Sequence, residues 1–152
     1  MKLNNKGFTL IEVLAVVVIL SVLAAIMVPS VNYIINQNKE NNYENLKNSI
    51  ISAAKIYLSD NRYEISINKL CSNATEKIAI TSINGKNLTD SKLPIKWLVD
   101  SKSLSTNSDG DIINPSDKNK KLNLDDSYVL VKYQCSNKDY TYTLEDDYLI
   151  WN

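Results

Sequence analysis

Polar and apolar positions divide this chain into two regimes. From Phe8 to Val28 the only polar residues are Thr9, Glu12 and Ser21, a run of 21 residues. Wound as a helix it is roughly 31 Å long, the thickness of a bilayer core. Beyond Pro29 the chain is mixed and rich in Asn and Lys. Apolar side chains recur there at Val31, Ile34 and Ile35, then at Tyr43, Leu46, Ile50, Ala53, Ala54, Tyr57 and Leu58. From Tyr43 the steps are three and four residues, which places one apolar face on a helical period. Lys39, Glu40, Glu44, Lys47, Asn48 and Lys55 occupy the other face. Pro29 is the only helix breaker in this stretch. The pattern predicts one continuous helix of about fifty residues, bent near Pro29 and ending around Ser59-Asp60-Asn61. Residues 8–28 would span a membrane, and residues 29–59 would be the amphipathic continuation.

Residues 60–152 read as a small head. Glu76 to Ile83 largely alternates, and Asn84-Gly85 is the strongest short hairpin signal. Leu93 to Val99 predicts a short helix with Pro94 in its first turn and Asp90 or Ser91 as cap. Ser105 to Lys121 is polar, contains Gly110 and Pro115, and reads as a loop. Ser127 to Cys135, Tyr140 to Leu144 and Tyr148 to Trp151 are β-branched and aromatic-rich. Three short antiparallel strands packed on the long helix make an α+β fold.

Lys2 and Lys6 precede the apolar run, which predicts a cytoplasmic N-terminus and an exterior head. A span starting at residue 8 leaves no cytoplasmic domain. An ordinary secretory signal has a shorter apolar core and a small-x-small cleavage site after it, whereas this run ends Met27-Val28-Pro29, which predicts a retained span. Lys+Arg and Asp+Glu balance at 17 each, so no global basic field points to nucleic acid. The chain has no histidine, which removes the commonest general base and metal ligand. Cys71 and Cys135 both fall in the predicted exterior part, where an even pair points to a disulfide; two buried thiols are the alternative.

A carboxylate within hydrocarbon, as at Glu12, costs on the order of 3 kcal/mol and calls for a partner. Hydration near the cytoplasmic face is the plainer reading, since Glu12 enters only a short way into the run. Gly7 by itself would be a flexible residue before a helix, and Pro29 a kink at the membrane boundary.

Lys6-Gly7-Phe8-Thr9-Leu10-Ile11-Glu12 resembles the processing site of type IV pilins and the related pseudopilins, and the likeness runs through the span to Pro29. The resemblance implies that a membrane-bound prepilin peptidase cuts between Gly7 and Phe8, removing residues 1–7 as a leader, and that the new Phe8 amine is methylated. It implies a ladle-shaped subunit with a long helix and an antiparallel-sheet head. It also implies assembly through Phe8, Glu12 and Pro29, with the Phe8 amine of one subunit facing the Glu12 carboxylate of another. Such a pair offsets its desolvation only with good geometry, and so favours one register. Many relatives carry a Gly near the start of the stretch that corresponds to Ser21–Pro29, where helical bonds can be lost in the fibre; this chain has Ser21.

Weaker constellations follow. Asn107, Asp109, Asp111, Asn114 and Asp117 crowd one loop, and Asp109, Asp111 and Asp117 are its candidate calcium ligands. The spacing lacks an EF-hand pattern and a closing Glu, which favours a solvated turn and no metal. Tyr128, Tyr133, Tyr140, Tyr142, Tyr148 and Trp151 would form either a stacking surface for DNA or glycans or cross-strand pairs and core. Glu145-Asp146-Asp147 reads as a solvated turn.

No nucleophile–base pair or metal cluster argues for an enzyme, and no cofactor is implied. The expected function is a structural subunit that polymerises with copies of itself, or in a mixed pilus, into an extracellular filament for adhesion, twitching motility or aggregation. The expected partners are the peptidase, an inner-membrane assembly platform, lipid before assembly, and a surface or glycan ligand of unknown identity. The alternatives are a pseudopilin of a type II secretion or DNA-uptake machine, and a monomeric signal-anchored binding domain.

Overall fold

The computed structural model describes residues 9–152, with 26–30 described by backbone alone. Two compact units divide at Glu40/Asn41. The first helix, α1, runs Leu10–Asp60 and contributes to both. Its predicted end agrees with the observed one, and the helix is assigned without a break through Pro29.

Within the first unit, the large apolar side chains from Leu10 to Leu23 are 45–89 % exposed. They point in every direction around the helix axis, because the run has no polar face. Within the second unit the predicted stripe is a packing surface. Ile50, Ala53, Ala54, Tyr57 and Leu58 are buried, and Tyr43 and Leu46 pack against the same cluster.

The stripe faces an antiparallel sheet of six strands: β1 (Ile65–Ile67), β2 (Lys77–Ile83), β3 (Lys86–Asn87), β4 (Lys92–Pro94), β5 (Tyr128–Gln134) and β6 (Asp139–Thr143). β5 is the central strand. Its first residues pair with β4 (Leu93↔Val129) and its last with β2 (Ile78↔Tyr133), while β6 covers the opposite edge. Alternation sends Ile78 and Ile80 of β2 and Val129 and Val131 of β5 inward, and the register shift against β1, which skips Thr81, lets Ile83 turn inward as well. Asn84-Gly85 closes β2 onto β3 with φ of 52° and 71°, the left-handed pair that a two-residue hairpin turn requires.

Two expectations are corrected. Leu93 and Pro94 belong to β4, and the short helix α2 is Ile95–Asp100, with Pro94 extended before it. Neither Asp90 nor Ser91 caps α2: both have positive φ, and the N–H groups of Ile95 and Lys96 donate instead to the carbonyls of Ser127 and Leu124. The buried Ser91 hydroxyl accepts from the Ile80 N–H at 3.0 Å, where the edge of β5 passes from β2 to β4. Tyr148 to Trp151 is not a third strand beside β6. A 3₁₀ turn at Asp146–Tyr148 redirects the chain, and Trp151 forms a single bridge with Leu122. The Ser127 hydroxyl holds the Ile150 N–H at 2.9 Å, and Lys121 and Asn152 exchange backbone bonds. The tail therefore pairs with the segment before β5. β1, too short to show a period, had no expectation attached.

Cys71 and Cys135 are bonded, with Cα atoms 5.8 Å apart and a sequence separation of 64. The bridge ties the irregular segment after β1 to the end of β5.

Candidate functional site

At the start of α1, Thr9 and Glu12 form a reciprocal cap. The Thr9 N–H and hydroxyl donate to Glu12 Oε2 at 2.7 and 2.8 Å, and the Glu12 N–H donates to Thr9 Oγ1 at 3.3 Å. This arrangement satisfies helix-start N–H groups and also fixes the carboxylate. One oxygen, Oε2, takes both Thr9 bonds. A carboxylate has about four acceptor positions, so Oε1 keeps its capacity for an external cation. The Thr-x-x-Glu spacing is a capping signature that was readable in the sequence and that the reading of Glu12 overlooked. Gly7 and Phe8 lie outside the described residues, as does the Pro29 side chain.

Further along the apolar run, Ser21 Oγ donates to the Val17 carbonyl at 2.7 Å. The hydroxyl is satisfied within its own helix, and α1 continues through Ser21 and Pro29. Among the described residues no helix is long and apolar enough to cross a membrane. The apolar stretch with described side chains, 10–25, is about 24 Å of helix, short of a bilayer core.

In the second unit, one face of the end of α1 and the β5–β6 hairpin enclose a cleft of about 1020 Å³. Lys55, Arg62 and Lys138 border it together with Tyr133, Tyr140 and Tyr142. Tyr133 and Tyr140 are a cross-strand pair, edge to face at 5.5 Å, and Lys55 Nζ lies 5.8 Å from the centre of the Tyr142 ring. Burial pushes the Tyr142 phenol up to about 12, so it stays protonated at all ordinary pH. Of the other tyrosines, Tyr128 stacks on Tyr148 at 4.7 Å, and Trp151 meets Tyr43 at 6.3 Å. The pairing and core reading accounts for them.

The acidic loop is held by its own backbone. Asn107 Oδ1 accepts from the N–H groups of Asp109 and Asp111 at 3.0 and 2.7 Å, and Asn114 Oδ1 accepts from Ser116 at 2.8 Å. Asp117 Oδ1 accepts from Asn119, and Asp111 pairs with Lys121, whose pKa this hydrogen bond raises. Among the described residues no three His, Cys, Asp or Glu side chains gather as a metal set. In the turn 145–147, Asp146 pairs with Lys47 at 2.9 Å.

Residues 2–28 match the family model described as the prokaryotic N-terminal methylation motif, which is the class III signal peptide of type IV pilins and pseudopilins. No curated protein and no solved structure matches the chain significantly.

Proposed function

Starting from a chain whose residues 2–28 carry the prokaryotic N-terminal methylation motif, we propose that it is a pilin-type structural subunit, cut between Gly7 and Phe8, methylated on the Phe8 amine and assembled into a surface filament. The motif supports a type IV pilin-like or pseudopilin protein, a class of structural subunits. The observation that carries the reading is the all-round exposure of Leu10 to Leu23 beside a single fixed carboxylate. An apolar helix left this exposed among the described residues needs an apolar environment elsewhere. Lipid supplies it before assembly, with 8–28 as the span and the head outside. A bundle of identical helices supplies it afterwards.

Within such a bundle Glu12 has a specific task. Oε2 is engaged by Thr9, and Oε1 would receive the cationic Phe8 amine of a neighbour. An ion pair buried in low dielectric tolerates little misplacement, so a carboxylate already oriented by its own cap selects one stagger between subunits. The platform and peptidase would act on the membrane form. Adhesion or twitching motility is the use this assembly would serve.

Mass spectrometry of the N-terminal peptide tests the processing step. Mature protein beginning at N-methylated Phe8 is the expected result, with Gly7→Ala accumulating precursor. Membrane protein still beginning at Met1 would overturn it.

A further inference from the structure

The cleft between the end of α1 and the β5–β6 hairpin contains none of the residues assigned above to processing or helix assembly. Its cations come from three separate pieces of chain: Lys55 from α1, Arg62 from the 3₁₀ turn that follows, and Lys138 from the hairpin turn. Among the described residues none of the three makes an ion pair. The one carboxylate lining the cleft, Asp139, accepts the Tyr140 N–H at 2.8 Å. Cys135, the first residue of the hairpin turn, is tied to Cys71 by the disulfide. Three cations against one carboxylate leave the lining a positive excess, which is complementary to an anion.

The other walls define which anion. Tyr133, Tyr140 and Tyr142 line the cleft and are half-buried, so part of each side chain stays accessible. Amphipathic rings with hydroxyl and amide groups between them suit a ligand made of flat-faced rings and many hydroxyls. Nucleic acid fits less well. It is bound by cations spread along a track, in proteins with a basic surplus, whereas this chain is neutral overall and three cations border this one cleft. We propose that this cleft binds a short segment of an acidic polysaccharide, with uronate carboxylates on Lys55, Arg62 and Lys138 and sugar faces against the tyrosines. The proposal is independent of filament assembly.

Calorimetric titration of the full-length protein, in a detergent without sugar headgroups, tests it. The probes are tetragalacturonate, a hyaluronan tetrasaccharide, neutral maltotetraose, tetraglutamate and an oligothymidylate octamer. Saturable binding of at least one uronate oligosaccharide, with none of maltotetraose, is expected. Lys55→Ala and Arg62→Ala should each weaken it about tenfold, as loss of one charge-assisted contact does. Both side chains are exposed, and an unchanged unfolding curve verifies that each variant is folded. On the unaltered protein, raising salt from about 50 to about 500 mM should weaken binding severalfold. Binding of neither uronate, equal binding of maltotetraose, tighter binding of the peptide or the nucleotide, or insensitivity to both substitutions and salt would overturn the proposal.

Discussion

Helix α1 is one element made from two sequences, and the contrast between its ends locates each end's partner. From Tyr43 to Leu58 apolar residues occupy a stripe, and the chain folds its own sheet onto it, burying Ile50, Ala54 and Leu58 to 0–1 % exposure. From Leu10 to Leu23 apolar residues surround the axis, and the described structure leaves them 45 % exposed or more. A stripe asks for one covering surface, which a single domain can provide. A helix apolar all round asks for surroundings on every side, from lipid or from other helices. The same geometry thus serves folding at one end and, on the proposal above, assembly at the other. Substitutions at the two ends should separate these processes.

The largest effect on the head alone should come from the disulfide. Removing the Cys71–Cys135 bridge releases a loop with a sequence separation of 64, a closure the chain-entropy model sets at about 4 kcal/mol. Cys71→Ser/Cys135→Ser should lower the denaturant midpoint of the head by that order, with processing at Gly7 unaffected. Chemical denaturation followed by near-ultraviolet circular dichroism measures it; an unchanged midpoint would show that the frame holds without the bridge.

A paired substitution comes next. Leu58→Ala empties a fully buried site and should cost about 3 kcal/mol of head stability. Val17→Ala, on the exposed end, should leave the head's unfolding curve in place while altering filament yield. Equal effects on head stability would erase the contrast.

The smallest effect is one of pH. The Tyr142 pKa is raised from 10.0 to about 12 because burial penalises the phenolate. A folded-state value above the unfolded one contributes stability that is complete below pH 10 and lost as pH rises through 12. Tyr142→Phe should flatten that alkaline loss while leaving stability at neutral pH within the range of an ordinary surface change. A profile with the same alkaline slope would assign the loss to other groups.

Legibility followed the range of the interactions. The continuous helix, the stripe and the Asn84-Gly85 turn depend on neighbours a few residues apart, and their spacing declares them. The Thr9–Glu12 cap is equally local, and it was overlooked because Glu12 was weighed only as a charge in hydrocarbon. Pro94 shows where local signals fail. A proline before apolar residues suits either a helix start or a sheet edge, and the pairing of Leu93 with Val129, 36 positions away by their numbering, decided for the edge. The tail failed for a similar reason, since Trp151 bridges Leu122 rather than β6. The cationic cleft joins Lys55 and Arg62, near the end of α1, to Lys138, more than seventy positions later, so no linear motif could have announced it.

Glu12 is where folding and assembly are most cleanly separated, because its described partner, Thr9, lies in the first unit and the buried core lies in the second. Glu12→Leu removes the carboxylate that the proposed Phe8 amine would meet, and it also eases the residence of this segment in lipid. The decisive quantity is the ratio of sheared, filament-associated protein to processed protein retained in the membrane. The account predicts that this ratio collapses for Glu12→Leu, while cleavage at Gly7 and the head's unfolding curve match the unaltered protein. A normal filament yield with normal processing would contradict it.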